Sequence, residues 1–341
     1  MKKINVGLMG YGSQGRRIAE ALRRQTDMVL TGVGVKAPDL TAKMAYMNEH
    51  PLYAIEPEEF KDSGIPIRGS VEDLLSNIEV VVDATPAGIG KQNKEQLYAH
   101  HHVKGIFQGG ESFDVATIPV FFTEVTYESA SNAKYLRIPT PYTVATVSML
   151  EPMNSAFGVK DVSSTFLIAG SEPNRGSRGP LDAILPVKIE KLRLLKEEIG
   201  YISLEPRMLS AFRVPTVLLS VQTLLLEVKS KASKADITAL LREQDRILLL
   251  PKEFTATDMI FEFLRRVRGT SGDIYEICVW EDQIECDNQH VKLVLAYDNH
   301  CVHTPHIIDA IRALTTHIEN DVSSRRTNNT LNVGKKLAFH S

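Results

Sequence analysis

A glycine-rich turn near the N-terminus constrains this chain more than any other feature. Ile4 to Met9 is a short apolar run broken only by Asn5, and Gly10-Tyr11-Gly12-Ser13-Gln14-Gly15 follows directly. An apolar run of that length fits a buried parallel strand. Arg16 to Arg24 then repeats with helical period, placing Ile18, Ala19 and Leu22 on one face. Met28 to Val35 reads as a second strand. Strand, tight turn, helix and strand within about 30 residues make a βαβ unit. In that context each glycine has a reason. Gly10 permits the sharp turn, Gly12 lets the backbone approach a dinucleotide pyrophosphate, and Gly15 allows close helix–strand packing. Tyr11, Ser13 and Gln14 lie between them, where the amides of the helix start face the phosphates. The competing reading is a glycine turn in an α/β protein that binds no cofactor.

The residue that ends the second strand separates the two nicotinamide dinucleotides, because a carboxylate there binds the ribose 2′-hydroxyl of NAD. Thr31-Gly32-Val33-Gly34-Val35-Lys36 has none, and Asp39 comes only after Pro38. Lys36, with Arg16 or Arg17 nearby, is placed to face a 2′-phosphate, so NADP is expected, with NAD as the alternative. The bland reading of Lys36 is an exposed loop lysine. Two further segments describe the same crevice. Glu79 to Pro86 reads as a buried strand running into Ala87-Gly88-Ile89-Gly90, and Val103 to Gln108 as another ending at Gly109-Gly110-Glu111. Small residues at such strand ends let a cofactor pass along the sheet edge. Thr85, Pro86, Gly88, Gln108 and Gly109 are therefore expected to line it.

Between these strands, Ser70 reads as a helix N-cap with acidic Glu72 and Asp73 in the first turn, and Lys91 to His101 as a helix. Strands alternating with helices imply a doubly wound, Rossmann-type parallel sheet. The pattern changes near residue 140. A helix is expected to start over Thr143 to Met149. Longer, more alternating strands are expected at Val162–Ala169, Thr216–Val228, Arg246–Leu250, Ile274–Trp280 and Val291–Tyr297. Helical patterns fall at Lys234–Gln244, Thr257–Arg266 and His306–Glu319. That alternation suits a mixed or antiparallel sheet. A chain of 341 residues exceeds one ordinary core. The expected division is 1–139 for the dinucleotide domain, 140–305 for a second domain serving substrate and self-association, and 306–341 for a helix and tail that return to the first. The last twenty residues are polar, and read either as a tail or as a segment packed back on the first domain.

Composition excludes other classes. A net charge of −3 gives no basic field to recruit nucleic acid or an anionic membrane. No window approaches the roughly 18 apolar residues of a membrane span, and Lys2-Lys3 is not followed by the apolar run of a secretory signal. Cys278, Cys286 and Cys301 are an odd set with no Cys-x-x-Cys spacing, which reads as reduced thiols in the cytoplasm. No metal site is expected, although His300, Cys301, His303 and His306 are close in sequence.

Several segments together resemble the archaeal-type (type II) glyceraldehyde-3-phosphate dehydrogenases along nearly the whole chain. They are Gly10 to Arg17, Val82-Asp83-Ala84-Thr85-Pro86-Ala87-Gly88-Ile89-Gly90, Ile106-Phe107-Gln108-Gly109-Gly110-Glu111, Gly179-Pro180-Leu181-Asp182-Ala183-Ile184, Val279-Trp280-Glu281-Asp282 and Asp309-Ala310-Ile311-Arg312-Ala313. The resemblance implies a Rossmann domain and a catalytic domain with a mixed sheet. It also implies a C-terminal helix returning to the first domain, a dual or NADP preference and a homotetramer; the expected partners are a small-molecule substrate and a second copy of the chain, as a homodimer or homotetramer.

The family's chemistry does not carry over. Its nucleophilic Cys follows an Arg-Val-Val-Ser stretch; here the matching stretch is Arg137-Ile138-Pro139-Thr140-Pro141-Tyr142-Thr143-Val144, which puts Pro141 at the nucleophile. Proline has no nucleophilic atom. The stretch matching the family's activating His, Leu218 to Gln222, holds no His. Ile168-Ala169 stand where the family has paired arginines, and a Leu- and Lys-rich stretch around Leu192 to Glu197 replaces its Ser-His-His-Gly. The expected function is an NAD(P)-dependent oxidoreductase that moves a hydride to or from a carbonyl, imine or hydroxyl without a thiol. Tyr142 is a candidate proton donor or else a core tyrosine. Glu111 is a candidate acid or base, or else a carboxylate capping a turn. His300, with His303 and His306 nearby, is a third candidate. Lys188 and Arg178 are candidates to meet an acidic substrate group. The alternatives are a non-catalytic dinucleotide-binding sensor or scaffold and, third, the family's own phosphorylating activity.

Overall fold

The computed structural model describes residues 2–108, 110–170, 182–268 and 272–334. The chain divides into two compact units, one of residues 1–139 with 304–331, the other of residues 140–303 with 332–341.

The first unit carries β1 (Ile4–Met9), α1 (Ser13–Arg23), β2 (Met28–Val35), α2 (Leu40–Met47), β3 (Leu52–Ala54), β4 (Gly69–Ser70), α3 (Val71–Leu75), β5 (Val80–Asp83), α4 (Ile89–Asn93), β6 (Lys104–Phe107), α5 (Thr123–Thr126) and β7 (Tyr135–Arg137). The strands form one sheet in the order β4-β3-β2-β1-β5-β6-β7. All its neighbours pair in parallel. Strand order reverses between β1 and β5, and a doubly wound sheet of this kind binds its ligand in the crevice at that switch point. Local sequence explains much of it. α1 buries Gly15, Ile18, Ala19, Ala21 and Leu22 and leaves Arg23 exposed. Ser70 starts α3 through a capping box, its hydroxyl accepting from the Asp73 amide while the Asp73 carboxylate accepts from the Ser70 amide. The helix expected over Lys91–His101 is α4 continued by a single π-helical turn, Lys94–Tyr98. Under the sheet lies a core that includes Met9, Val71, Leu75, Val81, Tyr98, Phe107 and Tyr135.

The second unit carries α6 (Pro141–Phe157), β8 (Val159–Ala169), β9 (Leu185–Pro186), α7 (Ile189–Ile202), β10 (Met208–Val214), β11 (Leu219–Val228), α8 (Lys234–Arg242), β12 (Ile247–Leu250), α9 (Thr257–Arg268), β13 (Ile277–Trp280), β14 (Glu285–Asp287) and β15 (His290–Asp298). Its sheet runs β12-β13-β15-β11-β8-β10-β9, with β14 beside β15. The sheet is mixed: β8/β10 and β12/β13 are parallel, and β11 is antiparallel to β8 and β15. The strand expected from Thr216 begins at Leu219, because Pro215 lacks the amide a strand interior needs and the Thr216 amide turns back to the Val214 carbonyl. Leu219, Leu250, Ile260, Leu264, Ile274, Cys278 and Ala296 form its core.

The chain then re-enters the first unit as α10 (Thr304–Thr315) and α11 (Asn320–Leu331). α10 is buried from Thr304 through Leu314. The polar C-terminal segment is not a free tail as far as Leu331, since Ser323, Thr327 and Leu331 of α11 are buried.

Candidate functional site

The turn from β1 into α1 has the geometry of a phosphate cradle. Gly10 sits at φ +84, a left-handed conformation that a side chain would strain, and its amide is tied to the Gly34 carbonyl of β2 at 3.1 Å. A Cβ on Gly15 would stand 2.2 Å from the Gly10 carbonyl oxygen, so only glycine lets α1 begin this close to the turn. A Cβ on Gly12 would meet nothing within 4 Å. That open space lies at the N-cap of α1, where no side chain caps the helix and its first turn holds no acidic residue. The start of the helix and the positive end of its dipole therefore lie at the gap left by Gly12. These features fit a dinucleotide pyrophosphate. Ser13 and Gln14 are half-buried in the first turn. Tyr11 differs: its ring is buried and meets His50 edge-on at 5.2 Å, so only its main chain belongs to the cradle. Burial, with Arg23 nearby, pushes the His50 imidazole down to about 4, so this pair is neutral packing at ordinary pH.

The ends of β5 and β6 form the rest of the rim. The Asp83 carboxylate is buried and spent inward. One oxygen accepts from the Thr85 amide and hydroxyl, the other from Asn93 at 2.9 Å and the Tyr98 hydroxyl at 2.5 Å. Burial, reinforced by the Asp83 charge, raises the Tyr98 phenol well above its ordinary value, so it stays a donor. Asp83 thus braces the loop bearing Thr85, Pro86 and Gly88, a role its sequence position did not reveal. Glu111 braces the same loop from the other side. Its Oε1 accepts from the Gly88 amide at 2.8 Å and the Gly90 amide at 2.9 Å, and its carbonyl accepts from Arg137. A buried carboxylate at the start of α4 is the capping arrangement. Gln108 is buried at the end of β6; Gly109 lies outside the described residues.

At the end of β2, Lys36 is exposed. The first carboxylate after it, Asp39, accepts from the Ala42 amide at 3.0 Å as the N-cap of α2. It is therefore engaged in local structure. Arg16 is half-buried and its basicity is lowered by burial and by Arg17.

In the second unit, Thr140 caps α6, Pro141 takes the first helical position and Tyr142 the next. Proline suits that position, since its missing amide would go unpaired there. The Tyr142 ring is half-buried and lies edge-on to Phe166 at 6.2 Å and Tyr297 at 6.3 Å. Sequence reasoning missed the residue that completes this helix start. Glu198 of α7 is fully buried, and its Oε2 accepts from the Thr140 amide at 3.2 Å, the Thr140 hydroxyl at 2.8 Å and the Thr143 hydroxyl. A signal existed: Leu195, Glu198 and Ile199 share one helical face, so a glutamate interrupts an apolar stripe. Of the histidines, His300 and His303 are buried after β15, and the His300 amide bonds Asp298 at 2.7 Å. His306 lies in the first unit instead, stacked on Phe122 at 4.6 Å and bonded to the Thr123 hydroxyl at 2.8 Å. Lys188 is the exposed N-cap of α7, and Arg178 lies outside the described residues. Burial raises the Cys278 thiol, and no cysteine is disulfide-bonded. Among the described residues no group of side chains could hold a metal ion, and no helix is long and apolar enough to cross a membrane.

No family model matches the chain. Curated proteins do. The glyceraldehyde-3-phosphate dehydrogenase of Pyrococcus furiosus is 34% identical over 340 residues, covering 98% of this chain and 100% of that protein. The enzyme of the same name from Archaeoglobus fulgidus is 32% identical over 347 residues, covering 98% and 99%. Among solved structures, aspartate semialdehyde dehydrogenase II from Vibrio cholerae superposes with a TM-score of 0.68 over 91% of this chain and 97% of that one. At 15% identity that likeness speaks to the fold alone. With relatives above 30% identity spanning nearly its whole length, the chain belongs to the glyceraldehyde-3-phosphate dehydrogenase family of oxidoreductases.

Proposed function

We propose that this protein is a divergent member of its family: an NADP-dependent oxidoreductase that transfers a hydride to or from a carbonyl, imine or hydroxyl without an enzyme thiol. The observation that carries the reading is Pro141 at the start of α6, in the stretch matched to the family's nucleophile, with the buried Glu198 carboxylate satisfying the same helix start. Acyl transfer to phosphate needs a nucleophile there. Hydride transfer needs only the cofactor, a proton donor and orienting groups. The bound nicotinamide supplies the hydride. In this reading residues 1–139, rejoined by the C-terminal helices, hold the dinucleotide, and residues 140–305 serve the substrate and self-association as a homodimer or homotetramer in the cytoplasm. Tyr142 is the candidate donor, because it follows Pro141 in α6 and is only half-buried. His300 is a second candidate from the same unit. Glu111, spent on two amides, acts by holding the Gly88 loop.

The test is a titration with NADPH, read by nicotinamide fluorescence, followed by a screen of carbonyl substrates by loss of nicotinamide absorbance. Binding with turnover supports the proposal. Binding with no turnover on any carbonyl, imine or hydroxyl compound replaces it with a dinucleotide-binding sensor. Phosphate-dependent oxidation of glyceraldehyde 3-phosphate overturns the reading of Pro141. Tyr142→Phe is expected to lower kcat at least about 100-fold with cofactor affinity unchanged; an unaltered kcat removes Tyr142 from the chemistry.

The cofactor preference has its own test. Support for NADP comes from exposed Lys36 at the end of β2, and from Asp39 being engaged as a helix cap. Lys36→Glu is expected to weaken NADPH about 10- to 100-fold, the value of a charge-assisted phosphate contact, and to leave NADH within about twofold. Equal losses for both would make Lys36 a loop lysine.

A further inference from the structure

The most anomalous polar group on the cofactor side of the first unit is the Gln108 amide. Gln108 is only 4% exposed, and neither its Oε1 nor its Nε2 has a hydrogen-bond partner among the described residues. Burying a primary amide with both ends unpaired costs about 1–3 kcal/mol, so such groups are rare unless a ligand completes them. Its backbone is tightly fixed. The Gln108 amide bonds the Asp83 carbonyl at 3.3 Å, and the Gln108 carbonyl accepts from the Glu111 amide at 3.4 Å. The side chain is therefore attached at the C-terminal end of β6, beside the braced 85–90 loop of the rim.

The position matches one part of the ligand. The pyrophosphate cradle is at the end of β1, and β6 lies two strands away across the switch point. Two strand spacings are about 10 Å. One nucleoside of a dinucleotide extends from the cradle toward β2, where Lys36 stands. The other extends across β5 toward β6. It ends in a pyridine ring carrying a primary carboxamide. Such a group offers one carbonyl acceptor and one NH2 donor, the complement of what Gln108 leaves unused.

We propose that Gln108 binds the nicotinamide carboxamide through paired amide–amide hydrogen bonds and so fixes the ring at the sheet edge. This rests on the reading of the turn as a dinucleotide site. Gln108 is thereby a positioning residue for the ring. It contributes nothing to the adenosine end.

The experiment compares ligands with and without the ring. Calorimetric titration of the whole protein with NADPH and with 2′-phospho-ADP-ribose, which lacks nicotinamide, is run on the wild type and on Gln108→Leu. The expected result is a rise in Kd for NADPH of about 10- to 100-fold, the loss of two hydrogen bonds, with 2′-phospho-ADP-ribose within about twofold. The ligand-free Tm of Gln108→Leu should be unchanged or higher, because the substitution removes an unpaired buried amide; a structural role would lower it. In the wild type alone, the 3-acetylpyridine analogue of NADPH, which keeps the acceptor and lacks the NH2 donor, should bind about 10-fold more weakly than NADPH. Equal weakening of both ligands by Gln108→Leu, or no weakening of NADPH, overturns the proposal while leaving the dinucleotide site intact. Failure of the wild type to bind either ligand overturns the site itself, and this inference with it.

Discussion

Gly12→Val is expected to abolish cofactor binding while leaving the fold intact. Gly12 has ordinary φ and ψ of −71 and −162, and its Cβ would enter space with no atom within 4 Å. A Cβ there needs no movement of the turn. The same space is where a pyrophosphate must approach the α1 amides, so the methyl groups exclude the ligand instead of disturbing the turn. Kd for NADPH should rise at least about 100-fold, or about 2.7 kcal/mol, with Tm within a degree or two of wild type. Gly15→Ala is the control with the opposite balance. Its Cβ would lie 2.2 Å from a main-chain oxygen, which cannot swing away. It should cost at least about 2 kcal/mol of stability and weaken binding as a consequence. Thermal melts and NADPH titrations of the two variants together make the check. If Gly12→Val binds NADPH normally, the turn is structural and the cofactor reading loses its main support.

The second large effect concerns how the returning helices are locked. Arg312 of α10 is 1% exposed. Its guanidinium donates to both oxygens of Asp27 at 2.8 and 3.0 Å, to Gln25 at 2.7 Å and to the Thr327 hydroxyl at 2.7 Å. One side chain thus ties α10 to α11 and to the loop between α1 and β2. Arg312→Ala should destabilise by about 3–5 kcal/mol in urea unfolding, because it leaves a half-buried carboxylate and several acceptors uncompensated. Arg312→Lys should recover little, since an ammonium cannot reproduce a two-pronged contact. A loss below about 1 kcal/mol would mean the network adds little beyond the packing around it. The ion pair also sets an acid limit. Burial alone would raise the Asp27 carboxyl, but the hydrogen bond and charge of Arg312, helped by Arg326, hold it below its ordinary value. A carboxyl depressed in the folded state stabilises fully above its unfolded value near 4, and loses that contribution as pH falls through the folded value. The wild type should therefore lose stability below about pH 4 more steeply than Arg312→Ala does.

What the sequence determined by itself was the part of the molecule whose physics is local. β1, α1 and β2 were legible because a continuous apolar run, a 3.6-residue repeat and three spaced glycines each act within a few residues. Ser70 as a cap was legible for the same reason. Tertiary structure decided the rest. Glu111 could be read as an acid or as a cap, and only the Gly88 and Gly90 amides, more than twenty positions away, identify its contacts. Glu198 meets Thr140 across 58 residues, and Arg312 meets Asp27 across 285. A charged helix residue is ordinarily expected to face water, and the apolar stripe that Glu198 interrupts does not name its partner. Short strands such as β3, β4, β9 and β14 also escaped, because their pairing partners are set by the sheet more than by their own composition. The glycine turn could specify a cradle from its own spacing. Which side chains complete the site around it depended on where distant segments of the chain come to rest.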